Sequence, residues 1–125
     1  MKEIRIRYKV KNHDKLIYET DESFAYMTTH GVIARADGGM YFVEERQLYT
    51  GFKDANGKRI WEGDILQRID FLTGYLVYWE QKYGRWSIGN SGNNLNESLL
   101  ELGFIVIGNI YENPHLIKEF NIEVQ

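Results

Sequence analysis

Two carboxylates lie close together in the stretch TGFKDANGKRIWEGDI, which covers residues 50–65. Glu62 and Asp64 are two positions apart, so on a strand both side chains would point to the same face. Such a pair could bind a divalent cation, or one carboxyl group could act as an acid and the other as a base. Catalytic carboxylates of this kind are buried enough to shift a pKa, and turn residues are seldom buried. We therefore expect a turn here and a protein without enzymatic activity.

The other residue types of catalytic and metal sites form no recognisable pattern. The chain has no cysteine, and His13, His30 and His115 do not share the spacing of metal ligands. No serine lies in a nucleophile elbow, and the glycines of the stretch fit neither the dinucleotide nor the P-loop pattern. The sequence therefore predicts no catalytic residue, no metal ion and no cofactor.

The first predicted strand offers a candidate nucleic-acid-binding surface. Apolar and basic residues alternate over positions 4–11, which is typical of a strand with one buried face. The basic residues are Arg5, Arg7, Lys9 and Lys11. A row of exposed cations suits nucleic-acid phosphates, although a net charge of -3 is unusual for a protein that binds them by bulk electrostatics. The alternative is a solvated face whose charges prevent aggregation through the strand edge.

Five aromatic residues gather around one predicted hairpin and form a second candidate surface. They are Tyr75, Tyr78, Trp79, Tyr83 and Trp86. Exposed rings can stack on bases, and tyrosine and tryptophan are also enriched where proteins bind each other. Because few basic residues accompany these rings, we favour a protein-binding surface, with part of the set directed into the core.

Strands must position most of these residues. Alternating or β-rich segments predict one hairpin around residues 12–15, a second around Asp37-Gly38-Gly39, and antiparallel strands over 64–70, 74–80 and 85–88. Residues 104–111 are apolar on both faces, which predicts a central strand, and Gly108 within it indicates a bulge or a close backbone approach.

Two turns and two short helices complete the predicted elements. The Asn56-Gly57 pair after Asp54 favours a two-residue hairpin turn with positive φ at both central positions. Glu62-Gly63-Asp64 predicts a second turn in which the aspartate accepts hydrogen bonds from neighbouring amides. One or two helical turns are expected within residues 94–102, and Asn113 as cap with Pro114 in the first position predicts a C-terminal helix through about residue 120.

The whole chain is expected to form one mainly β domain. Its length of 125 residues suits a single folding unit, and many short strands predict a small barrel or a strongly bent sheet. Residues 1–46 would form N-terminal hairpins and residues 47–125 a barrel-like part. The apolar runs are shorter than a membrane-spanning helix and the N-terminus is charged, which together predict a cytoplasmic protein without a membrane segment.

Three segments resemble the YopX family, small proteins of bacteriophages and prophages. YTGFKD, NGK, Ile60 and EGDI within residues 49–65 are similar to the signature of the family, VIGNIYENP at 106–114 to its second motif, and KEIRIR at 2–7 to its opening strand. Tyr8-Lys9 departs from the alanine and tryptophan that are typical of relatives. The motif residues interpreted as structural are Gly51, Asp54, Asn56, Gly57, Glu62, Gly63, Asp64, Gly108, Asn113 and Pro114.

The resemblance implies an all-β fold whose C-terminal part is similar to an SH3-like barrel, and it implies no activity. We therefore expect a phage or prophage module that acts in the cytoplasm of a bacterial host and binds a host or phage protein without catalysis. Binding of nucleic acid through the first strand is the alternative hypothesis, and a carboxylate-dependent enzyme is a remote one. Exposed strand edges further predict self-association.

Overall fold

The structure is a computed structural model that describes residues 5–18, 24–27, 32–35, 39–89 and 92–124. The first six strands are β1 (Ile6–Val10), β2 (Ile17–Tyr18), β3 (Phe24–Met27), β4 (Val32–Arg35), β5 (Met40–Lys53) and β6 (Arg59–Trp61). The remaining elements are β7 (Asp64–Arg68), β8 (Gly74–Glu80), β9 (Arg85–Ile88), β10 (Asn93–Asn94), α1 (Glu97–Leu100), β11 (Phe104–Asn109) and α2 (His115–Glu119). The predicted mainly β class is confirmed. The two described helices are far too short to span a membrane.

The N-terminal sheet has the strand order β2-β1-β5-β4-β3, and β6 pairs with the far end of β5. Both predicted hairpins are present as antiparallel pairs, β1 with β2 and β4 with β5, although most of the Asp37-Gly38-Gly39 turn lies outside the described residues. Tyr8, Val10 and Ile17 form the small core of this sheet. Strand β5 runs without interruption across residues 46 and 47, where the sequence placed the boundary between two parts.

The C-terminal sheet has the order β10-β9-β8-β7-β11, and all its pairings are antiparallel. Its core comprises Ile60, Leu66, Val77, Ile88, Leu95 and Phe104. The sheet remains open between β10 and β11, so the described residues form no closed barrel and the SH3-like detail is not confirmed. Strand β10 is two residues long, which leaves little strand to close a barrel.

The prediction that residues 104–111 form a central strand is wrong, because β11 lies at the edge of its sheet. A loop covers that edge in place of another strand. The Ala55 N–H donates to the Phe104 carbonyl at 2.9 Å, and the Val106 N–H donates to Asp54 Oδ2 at 2.9 Å. The predicted bulge is confirmed by a register shift between Val106 and Gly108.

The turn after β5 is longer than the predicted two-residue hairpin. Asp54 and Lys58 close it through a 2.8 Å backbone hydrogen bond, and Gly57 has a φ of +79°. Asn56 does not share this left-handed conformation, so the expectation of positive φ at both positions is wrong. The Asp54 carboxylate holds the loop by accepting the N–H groups of Asn56 and Lys58 at 2.9 and 2.8 Å.

Both short helices lie close to their predicted positions. Asn96 caps α1, since its Oδ1 accepts the Leu99 N–H at 2.8 Å. Helix α2 starts one residue later than predicted, with Pro114 preceding its first residue. Asn113 is not its cap, because its Oδ1 turns back to accept the Asn109 N–H at 3.1 Å.

Candidate functional site

Arg7 lies at the centre of a buried polar network that joins the two sheets. Its side chain is almost fully shielded from solvent, and its Nη2 donates to Asp64 Oδ1 at 2.8 Å and to the Glu62 carbonyl at 2.9 Å. The rings of Tyr18 and Trp61 flank the guanidinium, with centroids 5.8 and 5.4 Å from Cζ. Arg7 therefore fixes β1 to the turn that precedes β7.

The burial of Arg7 interrupts the basic row predicted on the first strand. Of the four cations, Lys11 is exposed, whereas Arg5 and Lys9 are half-buried. The Lys9 ammonium donates to the carbonyls of Val10 at 2.9 Å and His13 at 2.8 Å. Alternation assigned Arg7 to the solvent side of β1, but the turn before β7 covers that side.

Asp64 is also buried, with 2% of its surface exposed. Its Oδ2 accepts the Trp61 N–H at 2.8 Å, as predicted for an aspartate that bonds neighbouring amides. Burial raises the pKa of Asp64 to about 6, although the Arg7 charge and the Trp61 N–H act in the opposite direction. The expectation that turn carboxylates are exposed is wrong for this residue.

Glu62 has a different environment from Asp64. It is half-buried, its Oε1 accepts the Leu48 N–H at 3.3 Å, and burial raises its pKa. The two carboxylates line different cavities, so they do not share the cleft that an acid and base pair would need. Among the described residues, no cluster of three or more histidine and acidic side chains is arranged to hold a metal ion.

A cavity of about 480 Å³ lies beside Arg7 and Asp64, and we call it the polar pocket. Its charged lining residues are Arg7, Lys58, Arg59, Asp64 and Glu112. The other described lining residues are Tyr18, Trp61, residues 106–109 of the bulged strand β11 and Asn113. Residues that are remote in sequence, from the first strand, from 58–64 and from 106–113, thus meet at one place.

The five candidate aromatic residues are divided between the core and the surface. Tyr75 packs on Phe104 with ring centroids 5.6 Å apart, and Tyr78 is half-buried on the opposite face of β8. Trp79 and Trp86 form a cross-strand pair with centroids 5.1 Å apart. The remaining member, Tyr83, is exposed in the turn between β8 and β9.

A groove of about 910 Å³ runs between β5 and the β8–β9 hairpin, and we call it the aromatic groove. Its apolar lining residues are Leu48, Tyr49, Phe52, Trp79, Trp86 and Leu95. Leu48 and Trp79 remain 43% and 47% exposed. Arg5 and Arg85 also line it, so the groove unites two of the candidate aromatics with one cation of the first strand.

The segments that meet at the polar pocket belong to the motifs that resemble the YopX family, and a family model matches the chain across them. The model described as YopX protein matches residues 5–118. The chain belongs to the YopX family. A crystal structure of protein EF1440 from Enterococcus faecalis has a similar fold, with a TM-score of 0.63 and 20% identity over 94% of the YopX chain and 99% of the other chain. A comparison with curated proteins finds no match. At this identity the likeness to EF1440 shows a shared fold alone.

Three glycines of the YopX motifs adopt a left-handed backbone conformation, one of them within β5 and two in turns. Gly51, Gly57 and Gly63 have φ values of +90°, +79° and +85°, which favour glycine. A Cβ at Gly63 would also overlap the Gln47 amide, and one at Gly108 would lie 2.6 Å from Asn113 Oδ1. Gly108 therefore lets β11 and the loop that follows it approach each other at the wall of the polar pocket.

Sequence reasoning missed Asn109 and Glu112, which hold the loop after β11. Asn109 Oδ1 accepts the N–H groups of Tyr111 and Glu112, and its amide donates to Glu112 Oε1 at 2.9 Å. Glu112 Oε2 accepts the Leu16 N–H at 2.9 Å, a contact between residues 96 positions apart. Asn109 is the polar last residue of an otherwise apolar strand, which is the local signal that could have identified it.

A second feature of the YopX chain that was missed is an apolar tip between β7 and β8. It consists of Ile69, Phe71 and Leu72, and Leu72 is 87% exposed. The sequence interpretation treated this segment as a spacer between strands. Ile69 and Phe71 are 68% and 52% exposed.

Proposed function

We propose that the chain is a non-enzymatic protein-binding module, made by a phage or prophage, that acts in the cytoplasm of its bacterial host. The aromatic groove is the observation that carries this proposal. It keeps Leu48 and Trp79 exposed in a concave surface whose lining also contains polar residues, a combination that is typical of binding sites. Tryptophan is also among the residues that contribute most to binding between proteins.

The groove favours an extended segment of a partner protein. Gly51 and Gly84 line it, and a Cβ at either glycine would meet nothing within 4 Å, so the backbone of both walls is open to an approaching chain. Arg85 is held by Glu80 Oε1 at 3.2 Å and by the Gly92 carbonyl at 3.0 Å. The apolar side chains therefore supply the contact surface, and an apolar residue of the partner would insert between Leu48 and Trp79.

The separation of Glu62 from Asp64 supports the non-enzymatic part of the proposal. Asp64 lines the polar pocket and Glu62 lines the aromatic groove. Each carboxylate is engaged in a hydrogen bond to a backbone N–H group, with Trp61 for Asp64 and Leu48 for Glu62. Both carboxylates thus stabilise the turn between β6 and β7 through these hydrogen bonds.

Affinity capture with surface variants tests the groove. Tagged wild-type protein, Leu48→Ser, Trp79→Ser and the control Phe71→Ser, which changes the apolar tip, are incubated with nuclease-treated host lysate. Captured proteins are quantified by mass spectrometry, and the affinity of the purified partner is then measured. We expect the wild type and the control to retain one protein, and each groove variant to weaken its binding by about thirtyfold or more.

Two outcomes would contradict the proposal. Equal binding by the groove variants, or loss of binding in the Phe71→Ser control, would place the partner elsewhere. Material that is captured without nuclease and lost with it would favour nucleic acid. That alternative has less support, because Lys11 is exposed whereas Arg5 and Lys9 are half-buried and Arg7 is buried.

A further inference from the structure

We propose that the polar pocket binds a small oxyanion, either a carboxylate or a phosphate ester, through Arg7, Lys58 and Asn113. These residues come from β1, from the loop before β6 and from the loop after β11. The inference concerns a different cavity from the aromatic groove and does not depend on the protein-binding proposal.

Both carboxylates in the described lining of the pocket already have donors from the protein. Asp64 accepts the Arg7 guanidinium with Oδ1 and the Trp61 N–H with Oδ2. Glu112 accepts the Leu16 N–H with one oxygen and the Asn109 amide with the other. Each of these four carboxylate oxygens therefore already accepts one hydrogen bond from the protein.

Donors, in contrast, are left over. Arg7 uses four of its five N–H groups, on Gln47, Tyr18, the Glu62 carbonyl and Asp64, and the remaining hydrogen is on Nη1. Among the described residues, the Lys58 ammonium makes no hydrogen bond or ion pair.

The amide nitrogen of Asn113 is the third unused donor within the described part of the chain. The side-chain oxygen of Asn113 is committed to the Asn109 N–H at 3.1 Å, and this bond fixes the orientation of the amide group. An anion with two or more oxygens could accept from an amide, an ammonium and a guanidinium at once.

Charge and size also suit an anion. Among the described residues, three cationic and two anionic side chains line the pocket, so the charge balance of this lining is positive in a protein whose net charge is -3. A volume of about 480 Å³ is within the range of small-molecule sites, and Tyr18 and Trp61 give part of the wall an aromatic surface.

The buried network around Arg7 could instead stabilise the fold without binding a ligand. Variants of Lys58 and Asn113 distinguish ligand binding from this structural role. Arg7 and Asp64 hold the sheets together whether or not a ligand binds. Lys58 and the Asn113 amide nitrogen take no part in that bonding, so changing them should affect an anion and not the fold. Asn113→Asp keeps the oxygen that accepts the Asn109 N–H and exchanges the spare donor for a negative charge.

An NMR titration of the full chain tests the proposal. Benzoate and phenyl phosphate are added separately at constant pH and ionic strength, and the signals of the Trp61 indole and the Gly108 amide are followed. The proteins are wild type, Lys58→Met, Asn113→Asp and Lys53→Met. The last is a matched control, because Lys53 is exposed on the same hairpin, pairs with Arg59 in the register and does not line the pocket.

We expect saturable shifts in the wild type and the Lys53→Met control, with binding about tenfold weaker in Lys58→Met and at least as much weaker in Asn113→Asp. The ratio of the two affinities identifies the oxyanion that the pocket prefers. Shifts that do not saturate with either probe, or equal affinities in all four proteins, would overturn the proposal. Unchanged amide spectra of the unliganded variants show that loss of binding is not loss of folding.

Discussion

The Arg7 guanidinium and the Asp64 carboxylate lie 2.8 Å apart, and their side chains are 2% and 3% exposed. The pair connects the first strand to the start of β7 across 57 positions of sequence. A buried ion pair often adds little net stability compared with apolar residues, but removal of one partner leaves an uncompensated charge in the interior. The pair therefore makes the relative placement of the two sheets sensitive to single substitutions.

Arg7→Met should lower the free energy of unfolding by about 3 to 5 kcal/mol, because Asp64 would remain buried without its cation. Urea unfolding followed by tryptophan fluorescence measures the loss. Arg7→Met combined with Asp64→Leu should recover part of it, since no buried charge is then left. Lys11→Met, on the exposed part of the same segment, should change stability by less than about 0.5 kcal/mol. Similar losses in Arg7→Met and Lys11→Met would contradict the structure.

Stability should depend on pH through Asp64. Its pKa of about 6 in the folded protein is above the ordinary value of 3.8, so the unfolded chain loses this proton first as the pH rises. The stabilising contribution of the protonated form is complete below about 3.8 and is lost as the pH rises through 6. Relative to Asp64→Asn, the wild type should lose about 2 to 3 kcal/mol between pH 4 and 7.

Urea unfolding of both proteins at several pH values measures this difference. Glu62, whose pKa is also raised, is present in both proteins and cancels. The prediction would be contradicted if the wild type became more stable relative to Asp64→Asn as the pH rises. The attraction of Arg7 for the Asp64 carboxylate would then outweigh the cost of burying its charge.

Asp54→Ala should destabilise the protein by about 2 to 4 kcal/mol, since the Asp54 carboxylate accepts three backbone N–H groups and charge-assisted bonds are costly to lose. The donors are Asn56, Lys58 and Val106, at 2.9, 2.8 and 2.9 Å. Hydrogen exchange at the Val106 amide should accelerate more than exchange in β8. Unchanged protection of Val106 would mean that the loop does not hold the edge of β11.

Gly63→Ala and Gly57→Ala form a matched pair. Both glycines have positive φ, so alanine costs about 1 to 2 kcal/mol at either position. At Gly63 the new methyl group also overlaps the Gln47 amide, whereas at Gly57 it meets nothing within 4 Å. Thermal and urea unfolding should therefore show a further loss of about 1 to 3 kcal/mol in Gly63→Ala. Equal losses would indicate that Gln47 moves aside without cost.

Local sequence patterns predicted the features that depend on local physics. Alternation located β1, the Asn56-Gly57 and Glu62-Gly63-Asp64 segments located turns, and Gly108 marked the bulge in β11. These signals depend on residues a few positions apart, so a single sequence contains them. The mainly β class follows from the same signals.

Features that depend on distant contacts were predicted incorrectly or not at all. The alternation along β1 places Arg7 on the exposed face. Arg7 is buried because the turn at Glu62–Asp64, which is distant in sequence, covers that face. Strand β11 is apolar on both faces although it lies at an edge, because a loop that starts at Asp54 hydrogen-bonds to that edge. The aromatic groove likewise combines β5 with the β8–β9 hairpin, and no local pattern relates these strands.

Site-specific photocrosslinking in host cells tests the protein-binding account most directly. A photoreactive residue replaces Asn94, an exposed residue that lines the aromatic groove, or Leu72, at the apolar tip. The account predicts a covalent adduct with one protein from position 94, none from position 72, and loss of the position-94 adduct when Trp79→Ser is added. An adduct that forms from position 72 alone, or one from position 94 that persists with Trp79→Ser, would contradict it.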